Sequence, residues 1–518
     1  MSDGVPTDGP TATASFRALY LAINLFAVVA LGVGAALGGS KDPRYLYLLL
    51  LVAACSSPLL QMRSLNDRYA LLGVFLGIYF IFYGNVDLMA LLGLGEDQTV
   101  SSDALTASEL LVLLGAAAFI AGYHAASAAV RGLRPAGGGR RWRDWSERSL
   151  LLTGLALWAA GTVSVIILQV VLVPDKTAYT AAQGFARIGQ GATSLVMLGN
   201  YLPTLGIAAL AYGYARYRSR GWLMLILALI GVQVVVALAA DIKSMALQAP
   251  ALVILARIMR GGRIPYGWIL AAAIGSGLVF PVLQAYRAVL SESGATRHEA
   301  VQQFGKTVGA AIQQSRAVMK GAREERAQTV LERSNLKPSI DIVIGHAGLD
   351  VPFQAGNTLR PLWLALVPRL IWPDKPDLAV GIMFNKEFHL GAGDETYISP
   401  SHLGELYWNF GWPGAALGML LIGALFGVVG TRCDLSSGVS VTRVLLLLAT
   451  AALIGIGFES SIATPYAVWI RTLLVIGLLH VLLARVAGPG RSPVPDPAAA
   501  GAADQPPRVG ARYPNVLR

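Results

Sequence analysis

Charged residues are scarce in this chain. Asp, Glu, Lys and Arg make up 14% of its 518 residues, against 55% hydrophobic residues. A water-facing globular domain carries roughly 25% charged residues, so a soluble fold is excluded. Cysteine is scarcer still. The two that occur, Cys55 within an apolar run and Cys433 at the end of another, exclude a disulfide framework and a thiolate zinc site. The six histidines include no HExxH or other close ligand pair. Neither a Walker-type phosphate loop nor a convincing dinucleotide fingerprint is present. No metal site and no cofactor are therefore expected, and any reaction must draw its driving force from the substrate itself.

What the chain has in quantity is long apolar runs. Crossing ~30 Å of hydrocarbon takes about 20 apolar residues in a helix, and about twelve runs approach that length. They lie near Arg17–Leu37, Tyr45–Leu60, Tyr69–Leu92, Leu105–Val130, Ser149–Val173, Val196–Ala215, Trp222–Ala240, Ser244–Ile258, Tyr266–Leu290, Trp412–Gly430, Val441–Phe458 and Ala463–Leu483. The run from Ser244 is short for a full crossing. The expected class is an all-α polytopic membrane protein. Basic residues are retained on the cytoplasmic side of short loops. Arg63 and Arg68, the cluster Arg131 to Arg148, the set Arg216, Arg218 and Arg220, and the set Arg257, Arg260 and Arg263 all fall on one side of a twelve-span model, together with both termini. The opposite loop Gly95–Asp103 carries only acidic charges. The net charge of +11 then reflects topology rather than nucleic-acid binding.

In this topology residues 1–15 and 487–518 are tails rich in Pro, Ala and Gly without periodicity and read as disordered. The first tail lacks a basic n-region and a cleavage context, so span one is expected to stay as an anchor. Residues 16–290 hold nine spans, residues 291–401 form one large extracytoplasmic and mostly helical loop, and residues 402–486 hold three more spans. Within the loop, Phe304, Val308, Ile312 and Met319 recur at helical spacing between Arg297 and Ser334, which predicts an amphipathic helix. Pro352, Pro361, Pro368, Pro373 and Pro376 break the later half into short turns. The stretch Leu359–Trp412 concentrates charge and aromatics beside the spans, where ionisable groups are costly unless solvated or functional.

Several segments carry a resemblance: LERSNL around Arg333, VPFQAGNTL at Val351–Leu359, PRLIWPDKP at Pro368–Pro376 and SHLGELYWNFGWPG at Ser401–Gly414. Together with the topology they resemble the Wzy-type polymerases of O-antigen and exopolysaccharide repeat units. The resemblance implies a GT-C-like helical bundle in the bacterial inner membrane with its active site facing the periplasm. It also implies a metal-independent glycosyltransferase that moves a growing glycan from undecaprenyl pyrophosphate onto the next lipid-linked oligosaccharide. The partners it implies are those oligosaccharides, the lipid bilayer and a chain-length regulator, with no nucleic acid.

Such a reaction needs cations for the departing diphosphate, and arginine's planar fork can bond phosphate oxygens bidentately. Arg369, Arg287 and Lys243 lead the candidates, followed by Arg333 and Arg360. Lys243 sits in Asp241-Ile242-Lys243-Ser244, where related polymerases often carry small residues and an arginine, and a boundary lysine also snorkels for structural reasons. Arg471 lies about 10 Å into a span, where it meets either a partner such as Glu459 or a diphosphate. The acceptor hydroxyl must lose a proton. Glu405 is the first choice, set against the structural alternative of an acid at a helix N-terminus, with Asp241, Asp374, Glu459, His346 and His402 as further bases. Tyr407, Trp408 and Asn409 could stack on and orient sugar rings. Asp87 and His124 are expected to serve packing.

Two other classes compete. An O-antigen ligase would use the same donor with lipid A-core as acceptor, and HAGLDVPFQAGNTL from His346 is similar to the ligases' histidine motif. Ala347 replaces the small polar residue of that motif, however, and Gly356 is shifted by one position. A lipid-linked oligosaccharide flippase would show paired halves and interrupted spans, and no repeated half is visible here.

Overall fold

A helix satisfies its own N–H and C=O groups, so it is the element an apolar chain can place in hydrocarbon. The computed structural model describes residues 10–38, 42–64, 66–91, 106–133, 145–167, 199, 202–217, 219–240, 249–255, 258, 266–271, 275, 282, 285–286, 289, 303–321, 335–364, 367, 372, 380–390, 398–435 and 440–486. These are helical with no strand; Ala347 and Val351 form an isolated bridge. The main helices are α1 (Pro10–Gly38), α2 (Arg44–Ser56), α3 (Ala70–Tyr83), α4 (Asn85–Leu91), α5 (Ala107–Gly132), α6 (Glu147–Ile166), α7 (Leu202–Tyr217) and α8 (Arg220–Ala240). They continue with α9 (Phe304–Gly321), α10 (Lys337–His346), α11 (Arg360–Leu364), α12 (Val380–Glu387), α13 (Ser401–Arg432), α14 (Val441–Thr450) and α15 (Ala463–Val486).

Among the described residues, seven stretches are long and apolar enough to cross a membrane: Ala14–Val33, Ala107–Gly132, Glu147–Ile166, Arg220–Leu238, Ser401–Arg432, Val441–Glu459 and Ala463–Leu483. The chain is a polytopic, all-helical membrane protein. Arg44–Leu60 and Ala70–Tyr83 are shorter apolar helices. The expected run over 69–92 divides at Gly84 into α3 and α4. The runs over 244–258 and 266–290 are described only in part, mainly over 249–255 and 266–271.

The centre of the bundle is the crossing of α5 and α13. A Cβ on Gly122 would lie 1.9 Å from the Leu420 carbonyl oxygen, and one on Gly423 would lie 2.0 Å from that of Phe119. The two backbones touch where no larger residue fits, the usual route to tight helix contact in lipid, where apolar burial gives no drive of its own. Phe75 of α3 stacks on Phe119 at 3.8 Å between centroids, with Phe426 and Phe458 edge-on at 5.1 and 5.3 Å. By contrast α1 lies at the periphery, with Leu25 65% and Phe26 74% exposed, as suits lipid-facing positions.

α13 begins at Ser401, well before the apolar run that starts at Trp412. Its first turns carry His402, Glu405, Tyr407 and Asn409, which counting apolar residues passes over, yet these are buried. α9 packs one face inward as its periodicity predicts: Phe304, Val308 and buried Ala311 pack on a cluster that includes Val236 and Tyr286. The Met319 side chain lies outside the described set.

Candidate functional site

The break in α13 organises the site. Pro413 has no N–H to give the Asn409 carbonyl and its ring crowds that carbonyl. The chain leaves helical geometry at Phe410 (φ −142°, ψ 15°) and Gly411 (φ 64°, ψ −153°), the second a conformation open only to glycine. Two carbonyls are thereby freed, and the segment 354–355 takes them. Gln354 N donates to Trp408 O at 3.0 Å and Ala355 N to Asn409 O at 3.1 Å. Gly356 N donates to Asn409 Oδ1 at 2.8 Å, while Asn409 Nδ2 donates to Thr358 Oγ1 at 2.6 Å and to Glu405 O at 2.7 Å. Ala355 and Gly356 both adopt positive φ, 46° and 87°, to present these donors. The segments Val351–Leu359 and Ser401–Gly414 are thus one hydrogen-bonded unit.

Glu405 lies at the core of that unit, fully buried. Its Oε2 accepts from Ile462 N at 2.7 Å, a donor just ahead of α15 that no turn of the helix satisfies. The Thr358 hydroxyl lies beside the same carboxyl. The carboxylate therefore ties α13 to the start of α15, where the helix dipole favours it. His402, also fully buried, packs edge-on against Phe458 at 4.8 Å and lies 5.6 Å from the Tyr466 ring. Trp408 and Asn409 are likewise interior: Trp408 packs against Phe384 and Phe388 at 5.7 and 5.2 Å. Tyr407 is 7% exposed and contacts Phe353 and Trp412.

The exposed rim is made of other residues. Phe353, Phe410 and Trp412 stand 45%, 48% and 37% exposed around the break. At the end of α10, His346 Nδ1 lies 2.8 Å from Asp350 Oδ2 and 3.0 Å from Oδ1, with both side chains at least half exposed. The hydrogen bond with His346 holds the Asp350 carboxyl below its ordinary range. Bonded through Nδ1, the ring turns Nε2 away from its partner. Arg360 is exposed at the start of α11, which packs on α15, and Arg471 is half-buried and engaged within α15. Glu459 is exposed at the end of the 3₁₀ turn Ile456–Glu459. His124 packs against Tyr69 and Tyr123. Arg369, Arg287, Lys243, Arg333, Asp241 and Asp374 lie outside the described residues.

At the other end of α10 is a cluster the sequence reading missed. Lys337 Nζ lies 3.2 Å from both Asp87 carboxyl oxygens and 2.9 Å from Glu109 Oε1, and 5.3 Å from the centre of the Tyr47 ring. Glu109 uses Oε2 to accept from Thr106 N at 2.8 Å in the capping box of α5. Burial opposes the Lys337 charge, but Asp87 and Glu109 outweigh it and raise its pKa. Burial also raises Asp341, one turn along α10 and bonded to Ser108. Asp87, assigned to packing, is an ion-pair member. Among the described residues no group of three His, Cys, Asp or Glu could hold a metal ion. Comparison with family models, curated proteins and solved structures finds no match.

Proposed function

We propose that this chain is a membrane-embedded glycosyltransferase that transfers a glycan from a polyprenyl pyrophosphate to a hydroxyl of an acceptor, in the manner of the Wzy-type repeat-unit polymerases. The observation that carries the reading is the joining of its two most characteristic segments, Val351–Leu359 and Ser401–Gly414, around the α13 break. Segments far apart in sequence that fold into one rigid rim, with exposed aromatics and a braced histidine, provide a surface able to hold a sugar and move a proton.

The finer parts of the proposal are about twelve spans, both termini cytoplasmic and a periplasm-facing site in the bacterial inner membrane, with a chain-length regulator as partner. Arg369, Arg287, Lys243, Arg333, Arg360 and Arg471 are assigned to the two diphosphates, whose charge they would stabilise as the anomeric C–O bond breaks. His346, exposed and oriented by Asp350, is the acceptor base. Glu405, closed off in this conformation, acts as the tie between α13 and α15. Phe353, Phe410 and Trp412 supply stacking faces, with Tyr407 behind them, while Trp408 and Asn409 hold the rim from beneath.

Because the exposed histidine also suits the ligase-type alternative, the test carries both acceptors. Purified protein in lipid is given a synthetic undecaprenyl-pyrophosphate-linked repeat, alone or with lipid A-core, and products are resolved on a gel. A ladder from the repeat alone, lost in His346→Ala with the fold intact, is expected. Transfer only to lipid A-core would select the ligase, and movement of intact substrate without any product would select a transporter.

A further inference from the structure

Glycine has a second use in this bundle, and it is the reverse of the α5–α13 crossing. Gly73 and Gly77 stand one turn apart on α3, the small-residue spacing that lets membrane helices close on each other. Here nothing closes. A Cβ on Gly73 would meet only side-chain atoms at 3.8 and 3.9 Å, and one on Gly77 would meet nothing within 4 Å. The missing side chains open a cleft of about 720 Å³ between α1, α2 and α3, with Phe26, Ala27 and Leu31 on one wall and Gly73, Gly77 and Phe80 on the other.

The walls are apolar, and the polar Ser56 among them is already satisfied: its hydroxyl donates to Val52 O at 2.7 Å and accepts from Asn24 Nδ2 at 3.0 Å. Apart from the Cys55 thiol, a weak donor, the lining offers an occupant no hydrogen-bonding side chain without a partner, which disfavours a headgroup or a sugar and fits hydrocarbon. The floor follows α2 and the next turn from Leu48 to Met62, a rise of about 20 Å. An acyl chain fixed in one headgroup layer reaches about half of the ~30 Å core, so the cleft is longer than a single leaflet supplies. A second cavity of about 310 Å³ shares Val74, Leu255 and Ala451 with the first and continues to Ile456. Ile456 begins the 3₁₀ turn Ile456–Glu459, which ends three residues before the Ile462 N–H held by Glu405.

We infer that the cleft between α1 and α3 holds one long polyprenyl chain, leading its lipid toward the rim around the α13 break. The inference rests on the transferase reading for the identity of the lipid, while the cleft itself stands on geometry. Gly73 and Gly77 are then kept small by an occupant rather than by a neighbouring helix.

The test is native mass spectrometry of the full chain incubated with undecaprenyl phosphate or with phosphatidylglycerol, for the wild type, Gly77→Phe and, from the opposite wall, Ala27→Phe. The expected result is retention of undecaprenyl phosphate through detergent removal by the wild type, at least a tenfold loss in both variants, and weak retention of phosphatidylglycerol by all three. Equal retention in wild type and variants, or equal retention of the two lipids by the wild type, would overturn the assignment. A melting scan of each variant excludes misfolding, and the two walls give independent readings. Because the probe carries no glycan, retention without ladder formation would remove the transferase and keep the cleft. A ladder unchanged in both filled variants that also retain the lipid would do the opposite.

Discussion

The two ends of α10 each set a basic nitrogen against carboxylate oxygens, in opposite settings. At its start, Lys337 is 13% exposed between Asp87 at 12% and Glu109 at 1%; at its end, His346 and Asp350 are 50% and 64% exposed. A buried cation cannot lose its partners cheaply, so the first pair fixes where the helix lies. An exposed pair is screened by water and adds little to stability. What it retains is direction, since Asp350 sets which ring nitrogen of His346 faces outward. One helix thus has an anchored end and, in the proposed reaction, a working end, set apart by burial and by lysine at one end against histidine at the other.

The sharpest way to break this comparison is Lys337→Met. Asp87 and Glu109 would remain buried and unpaired, a loss of about 3–5 kcal/mol, read as a large drop in melting temperature in a detergent that keeps the wild type folded. The sign with pH is fixed by the raised lysine pKa. The stabilisation is fully present below the unfolded value near ~10.4 and fades only as pH rises through the higher folded value. Between neutral pH and pH 9 the wild-type melting temperature should carry no slope from this lysine, and a steep one would remove it as the anchor.

Next in size comes Glu405, a second fully buried acid. Glu405→Ala leaves Ile462 N without an acceptor and should cost about 1–3 kcal/mol. Glu405→Gln keeps an amide oxygen for that N–H and should recover most of the loss. If Glu405 is the tie between α13 and α15, glycan transfer by the Gln variant follows the amount of folded protein. If it is the base, the Gln variant is folded and inactive, and the role assigned to His346 falls.

How much of this could be read from the residues differs by element. Membrane character and the apolar helices follow from composition and run length, because hydrocarbon imposes both. The break in α13 was partly legible in Gly411 and Pro413, but the helix before it was not, since Ser401–Asn409 is buried by protein rather than by lipid and lacks an apolar run. The amphipathic α9 was legible in the spacing of Phe304 and Val308. The Lys337 cluster was not, because its partners lie 228 and 250 positions away in sequence and nothing local marks them. Asp350 offered a signal that was passed over: it stands four residues after His346, the spacing that brings side chains together over a helical turn.

The smallest effect on stability and the most selective on function is expected for Asp350→Asn. Both partners face water, so the melting temperature should not move measurably. The asparagine can still hydrogen-bond to Nδ1, but it carries no charge to favour the imidazolium that forms when His346 takes the acceptor's proton. The variant should therefore lose turnover while its KM for the lipid-linked repeat stays near wild type. Wild-type turnover in Asp350→Asn would mean that the exposed end of α10 differs from the buried end in solvent access alone, and the base would have to be sought among the buried residues after all.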